Sequence, residues 1–349
     1  MKATITGWGS YLPPAVLTND DLATVIDTSD EWIQSRSGIR ERRMSHIDTS
    51  EMSVHAARSA LASSGVDPQD IDLIVLCTCS PDRLMPSTAA YVQKSIGAVN
   101  AGAFDLNAAC TGFVYGLSMV TGMIESGHTK TALVIGAEKL STYISLKDRS
   151  TAVLFGDGAG AVIVQATEDV GGVEAIVLGN DGTLTEALTI PGSGSQENPR
   201  EDGIVAVTMD GPEIYRGAIK KMAESVEAVV AKAGWELDDV ALIVPHQANI
   251  RIIDAVARRL KIDPDKAFVN IMDYGNTSAA TVPIAIADAV DSGRIKTGDK
   301  VVFVAFGAGV SWGAVALEWG GLTEPKGTYE ADVEPPTMTG LELLQAHQG

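Results

Sequence analysis

Three side chains have types and settings that could carry acyl chemistry together. Cys110 lies in "DLNAACTGFVYGL" (105–117), where a strand-like run gives way to a helix-like one with Phe113, Leu117 and Val120 at helical spacing. His246 ends an apolar strand in "VPHQANIRIID", and Asn276 sits in "DYGNTSAAT" after the strand-like "AFVNIM" (267–272). A thiol at a helix N-terminus sees the positive end of the helix dipole, which favours thiolate. Its sulfur could attack a carbonyl while backbone N–H groups steady the oxyanion. The loop "FGAG" (306–309) could supply one such donor, because small residues let backbone approach closely. A neutral His and an Asn can both donate to a second oxyanion. With no carboxylate beside them they suit enolate stabilisation better than general-base hydrolysis. Each residue also has a plainer reading. Cys110 could be a small buried hydrophobe, His246 a cap for the helix that begins near Asn249, and Asn276 an ordinary turn and N-cap.

The elements that must position these groups follow from the apolar pattern. Strand candidates at 71–78, 131–137, 158–166, 240–245, 300–309 and 312–319 alternate with amphipathic stretches at 51–64, 213–233 and 250–260. Fully apolar strands flanked by helices imply sheets covered on both faces, hence α/β layering. The chain also repeats itself. "LASSGVDPQDIDLIVLCTCS" (61–80) lies on "VAKAGWELDDVALIVPHQAN" (230–249) without a gap. "AFDLNAACTG" (103–112) matches 267–281 loosely, and "FGDGAGAVIVQA" (155–166) resembles "FGAGVSWGAVAL" (306–317). Three matches in one order imply two related halves, 1–166 and 167–320. A site is then expected where their strand ends meet. The tail 321–349 changes to Pro, Glu, Thr and Gly and reads as a peripheral or partly disordered appendage.

Composition bounds the function. The 349 residues carry a net charge of −19, which argues against a general nucleic-acid or anionic-membrane surface. No run of about 18 apolar residues occurs, so no membrane span is expected. "MKATITGWGSYLPP" lacks the cationic lead and apolar core of a signal peptide. Three cysteines are too few for a disulfide framework and suit a reducing cytoplasm. Cys77 and Cys79 share one strand face but lack a second ligand pair, so no metal is expected. "GDGAGA" (156–161) lacks the order of a dinucleotide loop. His46, His55, His128 and His347 fall in polar surroundings and read as solvated.

The motifs together resemble β-ketoacyl-acyl carrier protein synthase III, a condensing-enzyme family of the thiolase superfamily. The resemblance spans about 1–319 and rests on six stretches. They are "TSDEWIQSRSGIRERR" (28–43), "NAACTGF" (107–113), "FGDGAGA" (155–161), "VPHQANIRII" (244–253), "GNTSAAT" (275–281) and "FGAGVSWG" (306–313). It implies a five-layered αβαβα fold, a homodimer, and Cys110, His246 and Asn276 as a catalytic triad. Cys110 would take an acyl group from acyl-CoA. Malonyl-acyl carrier protein would then lose CO2, and its enolate, held by His246 and Asn276, would attack the thioester and initiate fatty acid synthesis. No cofactor is implied, since CoA thioester and carrier-protein pantetheine are substrates.

Further positions carry over by motif. The backbone of Cys110 and Ala308 would form the oxyanion hole. Trp32, Arg36 and Arg149 would contact CoA, Asn249 the pantetheine region, and Phe306 and Met85 the substrate, with Met85 reaching into the partner's acyl tunnel. Arg216, Arg251, Arg258 and Arg259 resemble a docking patch for the acidic carrier protein. Two departures stand out: Ala308 where some members have Gly, and Tyr274 where His is frequent. A related acyltransferase acting on a hydroxyl or amine, and a non-catalytic partner subunit, are the rival readings.

Overall fold

A computed structural model describes residues 1–168, 171–198 and 203–347. Residues 169–170 and 199–202 of the expected second half, and the last two of the tail, lie outside the described residues.

The apolar strands are apolar throughout because both faces of each sheet are covered. In Leu73–Cys77, residues 73, 75 and 77 face one core while Ile74 and Leu76 face another. Thr131–Lys139 splits the same way, with Ala132 and Val134 inward and Leu133, Ile135 and Ala137 outward. The N-terminal sheet has the order Lys2–Tyr11, Asp157–Thr167, Thr131–Lys139, Leu73–Cys77, Gly102–Leu106. Its last three strands run parallel, and the other two pairings are antiparallel. The C-terminal sheet has the order Gly172–Asn180, Ser311–Glu318, Lys300–Gly307, Leu242–Pro245. It repeats the first four strands of the N-terminal sheet, with one pairing parallel and two antiparallel.

The counterpart of the fifth strand is reduced to one bridge, Ile243 to Ala267. The strand-like 267–272 therefore does not form a strand, and Ile271–Tyr274 is a short helix. Asn270 explains the departure. Its N–H donates to Gln247 Oε1 (3.1 Å) and its amide to Asp288 (2.9 Å), which draws the chain away from the ladder.

Helices complete five layers. Thr49–Ser64 and Thr88–Ile96 cover the outer face of the N-terminal sheet. Gly112–Glu125 and Thr281–Asp291 lie between the sheets. Gly211–Lys232 and Ile250–Leu260 cover the outer face of the C-terminal sheet. The middle layer is tight: a Cβ added at Gly136 would lie 2.3 Å from Ala279 O.

The tail follows a defined course over the N-terminal half. Lys326 N–H donates to Ser63 O (2.9 Å), and helix Gly340–Ala346 buries Leu343 and Leu344 in the cluster that holds Leu17 and Met44. Its apolar residues are few but spaced to reach this helix face, which a compositional reading of 321–349 misses. His55 is half-buried rather than solvated, stacked between Tyr11 and the tail's Tyr329, whose hydroxyl lies 2.8 Å from Nδ1. Cys77 and Cys79 do not share a strand face, because the strand ends at Cys77 and the chain bends towards Glu138.

Candidate active site

Two elbows bring the reactive groups together. Ala109 is left-handed (φ 45°), opens the 3₁₀ turn Ala109–Thr111, and leads into helix Gly112–Glu125. Ser278 is left-handed (φ 50°), opens the turn Ser278–Ala280, and leads into helix Thr281–Asp291. Cys110 follows the first bend, and Asn276 precedes the second. The Ser278 hydroxyl lies 3.4 Å from Cys110 Sγ and joins them.

Each side chain is positioned by a specific partner. Asn276 Oδ1 accepts from Ser278 N–H (2.8 Å), which leaves the amide NH2 for the cavity. Its backbone is tied on both sides, donating to Leu154 O (2.9 Å) and accepting from Gly156 N–H (3.1 Å). His246 follows strand Leu242–Pro245, and its Nδ1 lies 2.7 Å from Thr281 Oγ1. That hydroxyl is also 2.9 Å from Ser278 O and has one proton to give. When it donates to Nδ1, the ring carries its proton on Nε2 and can donate into the cavity. When it donates to Ser278 O, Nε2 is a lone pair. Burial pushes the His246 pKa down to about 3, so the ring is neutral.

Burial likewise pushes the Cys110 thiol up to about 11, partly offset by the Ser278 hydroxyl and its own N–H. The helix end therefore does not make a thiolate by itself, in contrast to the expectation from position alone. Desolvation of a wholly buried sulfur outweighs a terminal dipole effect of about 1 kcal/mol.

Cys110, His246, Asn276 and Phe306 line the base of one cavity of about 300 Å³, whose other walls include Trp32 and Arg36. A second cavity of about 240 Å³ also borders Cys110, walled by Cys79, Leu140, Phe155, Leu188, Val207 and Ala308. Gly307 packs directly on Cys110: an added Cβ would sit 2.9 Å from Cys110 Cβ and 3.0 Å from its N. The sequence pointed to this loop but not to Gly307 as its tightest point. Ser278 and Thr281 stood in plain sight within "GNTSAAT", hidden by their ordinary look as turn residues. Glu138, a single acid ending the apolar run "TALVIGA", was missed altogether. Among the described residues no cluster could hold a metal ion, and no helix is long and apolar enough to cross a membrane.

Comparison with known proteins places this geometry. The family model described as 3-oxoacyl-[acyl-carrier-protein (ACP)] synthase III matches residues 104–182, and its C-terminal counterpart matches 230–319. The chain is 50% identical over 344 residues to beta-ketoacyl-[acyl-carrier-protein] synthase III 2 of Vibrio vulnificus, covering 98% of this chain and 95% of the relative. The chain belongs to the 3-oxoacyl-acyl carrier protein synthase III family. Crystal structures of the family's enzymes from Aquifex aeolicus and Pseudomonas aeruginosa superpose with TM-scores of 0.86 and 0.85, at 45% and 41% identity. They cover 90% and 91% of this chain, and 99% and 98% of theirs.

Within the family frame the remaining expected positions separate. Trp32 carries two guanidiniums, Arg149 at 4.6 Å and Arg36 at 5.4 Å from its ring centroid, at the cavity rim. Asn249 lines the cavity, but its amide is committed, donating to Arg36 O (2.9 Å) and accepting from Arg251 N–H (2.8 Å). It clamps helix Asp30–Ser37 to helix Ile250–Leu260. Met85 is 84% exposed, beside Leu84 at 86%, and lies outside both cavities of its own chain. Arg216, Arg251, Arg258 and Arg259 are all exposed. Arg216 pairs with Glu213 (2.6 Å), Arg259 lies 3.8 Å from Glu224, and Arg251 sits over Tyr215. Burial, together with the neighbouring half-buried Asp288, pushes the hydroxyl of Tyr274, at the second departure, up to about 12.

Proposed function

We propose that this acyltransferase condenses an acyl-CoA primer with malonyl-acyl carrier protein, releasing CO2 and giving 3-oxoacyl-acyl carrier protein, through an acyl-Cys110 intermediate. The observation that carries the reading is the meeting of Cys110, His246 and Asn276 at the base of one cavity that opens towards Trp32 and Arg36. The two halves, 1–166 and 167–320, contribute one elbow each, with the tail 321–349 as an added strap. Cys110 attacks the thioester carbonyl, and the N–H groups of Cys110 and Ala308 receive the oxyanion. With acyl group in place, malonyl thioester enters beside His246 and Asn276. The Asn276 amide and His246 Nε2–H, the latter set by a Thr281 hydroxyl donating to Nδ1, hold the enolate oxygen as CO2 leaves. A neutral imidazole suits this role, since it donates without adding a charge that would bind the malonyl carboxylate in its ground state.

Substrate contacts follow the same geometry. The CoA adenine stacks on Trp32 in place of one of the guanidiniums now on its ring, Arg36 or Arg149. Phe306 borders the thioester. Asn249 acts on pantetheine indirectly, by holding Arg36 and the mouth of the cavity. Arg216, Arg251, Arg258 and Arg259 form a local basic patch on a strongly acidic protein, which suits an acidic carrier protein. The working unit is a homodimer: strand Gly102–Leu106 is an open sheet edge, and Leu84, Met85 and Val99 expose apolar surface near it. Met85 then reaches the partner's acyl cavity. No cofactor takes part, and the three free cysteines suit a reducing cytoplasm.

The test is a panel of acyl-CoAs incubated with the protein and weighed intact. One acyl mass should appear on the wild type and none on Cys110→Ala. Release of CO2 from malonyl-acyl carrier protein should follow. Acylation without any malonyl-dependent CO2 would replace this reading with acyl transfer to another acceptor.

A further inference from the structure

Glu138 is wholly buried at the end of strand Thr131–Lys139, and the condensing chemistry above gives it no task. It is bonded by the Ser80 hydroxyl (2.5 Å), the Thr78 hydroxyl (3.2 Å), the Cys79 N–H (3.1 Å) and the Cys79 thiol (3.3 Å). The Ser278 hydroxyl, which donates to Cys110 Sγ at 3.4 Å, is a neighbour of this carboxyl and holds its pKa below where burial alone would put it. Among the described residues no Lys, Arg or His donates to it. The titratable groups that feel its charge are Cys77, Cys79, Cys110 and Tyr143, all acids. A buried carboxylate without a cation is costly, and its charge also opposes ionisation of the nearby thiol.

The same facts remove the cost once one proton is shared. Two anions cannot coexist in this pocket, but one can sit on either end of the chain Cys110–Ser278–Glu138. His246 is not the acceptor in the tautomer used for condensation, because Nε2 then carries the ring proton, Nδ1 accepts from Thr281, and burial keeps the ring's basicity low. Among the described residues the Ser278 hydroxyl is the one side-chain group hydrogen-bonded to Cys110 Sγ, and it neighbours the Glu138 carboxyl.

We propose that Ser278 relays the Cys110 thiol proton to Glu138, which stores it while the acyl group is on the sulfur. The Cys110 S–H bond breaks, its proton passes to Ser278 Oγ, and the Ser278 proton passes to the Glu138 carboxylate. The sulfur forms its bond to the acyl carbon, the carbon–sulfur bond to CoA breaks, and the CoA thiolate takes a proton from solvent through the open cavity. Condensation later expels Cys110 as thiolate, which recovers its proton from Glu138 by the same route. The cycle therefore takes up one proton per turnover, the one that leaves on CoA. Ser278 touches the reacting sulfur and is a catalytic residue; Glu138 acts through it and is a positioning residue for the proton. The inference rests on Cys110 being the acyl acceptor, but not on the identity of the second substrate.

The first measurement is the pH profile of Cys110 alkylation by iodoacetamide, which needs no acyl substrate. Thiolate paired with protonated Glu138 has the same proton count as thiol paired with carboxylate. The wild-type rate should therefore be nearly flat between about pH 6 and 9. Glu138→Gln should rise about tenfold per pH unit over that range, because its thiolate forms only by proton loss to solvent. Glu138→Asp should recover the flat profile in part, which a packing role would not do. The second measurement uses wild type alone, so folding of the variants does not decide it. Acylation in weak buffer without malonyl substrate should take up about one proton per CoA released. A wild-type profile that rises like that of Glu138→Gln, or CoA release without proton uptake, would overturn the proposal. Failure of condensation with normal acylation would count only against the proposed function.

Discussion

The two elbows share a backbone and differ in what they carry. Ala109 and Ser278 are both non-glycine residues in the left-handed region, both open a 3₁₀ turn, and both feed a helix in the middle layer. At the first elbow the reactive atom follows the bend, as Cys110, at the start of its helix. At the second it precedes the bend, as Asn276, and the bend itself holds it through Ser278 N–H. Two helix N-termini with the same approach thus border one cavity. In the proposed reaction one carries the nucleophile and the other a set of donors. His246, from the strand end beside the second elbow, joins the donor set through Thr281.

The largest test of that division removes one function at a time. Cys110→Ala should abolish acylation outright in the intact-mass assay. His246→Ala and Asn276→Ala should keep acylation but lower malonyl decarboxylation by about 10²–10³, the usual effect of losing one preorganised donor. Normal decarboxylation in either variant would end the assignment of the second elbow to enolate binding.

A finer test asks whether Thr281 sets the histidine proton. Thr281→Val keeps the shape and removes the hydroxyl shared by His246 Nδ1 and Ser278 O. Decarboxylation should fall by about tenfold to a hundredfold, as for loss of a group that orients a reactive ligand. Acylation should change far less. Equal losses in both half-reactions would mean that Thr281 merely supports the elbow.

Much of this arrangement was legible in the sequence because it rests on covalent order. Apolar strands with both faces covered, the repeat of 61–80 at 230–249, and Cys110 and His246 after strand ends all survive translation into three dimensions, whereas Asn276 follows the short helix Ile271–Tyr274. What was not legible depends on contacts between residues far apart in the chain. Glu138 meets Cys79 and Ser278 only after the sheet forms, and His55 finds Tyr329 across 274 positions. The strand-like 267–272 failed for the same reason, since Asn270 is drawn off by Gln247 and Asp288. Desolvation of Cys110 is a property of the closed pocket, so the helix end alone gave the wrong sign for the thiol.

The smallest test weighs backbone against side chain at the elbows themselves. A left-handed Ala carries about 1–2 kcal/mol of strain that glycine relieves. Glycine also adds about 0.5–1 kcal/mol of freedom to the unfolded chain. Ala109→Gly should therefore leave stability unchanged or raise it by at most about 1.5 kcal/mol. Ser278→Gly gains the same relief but deletes the hydroxyl between Cys110 Sγ and Glu138. Losing a buried hydroxyl that bonds the sulfur and neighbours a buried carboxyl costs about 1–3 kcal/mol, so this variant should be clearly the less stable in urea unfolding. Equal midpoints would mean that the two bends differ only in backbone and that the Ser278 hydroxyl bears no part of the pocket's polar network.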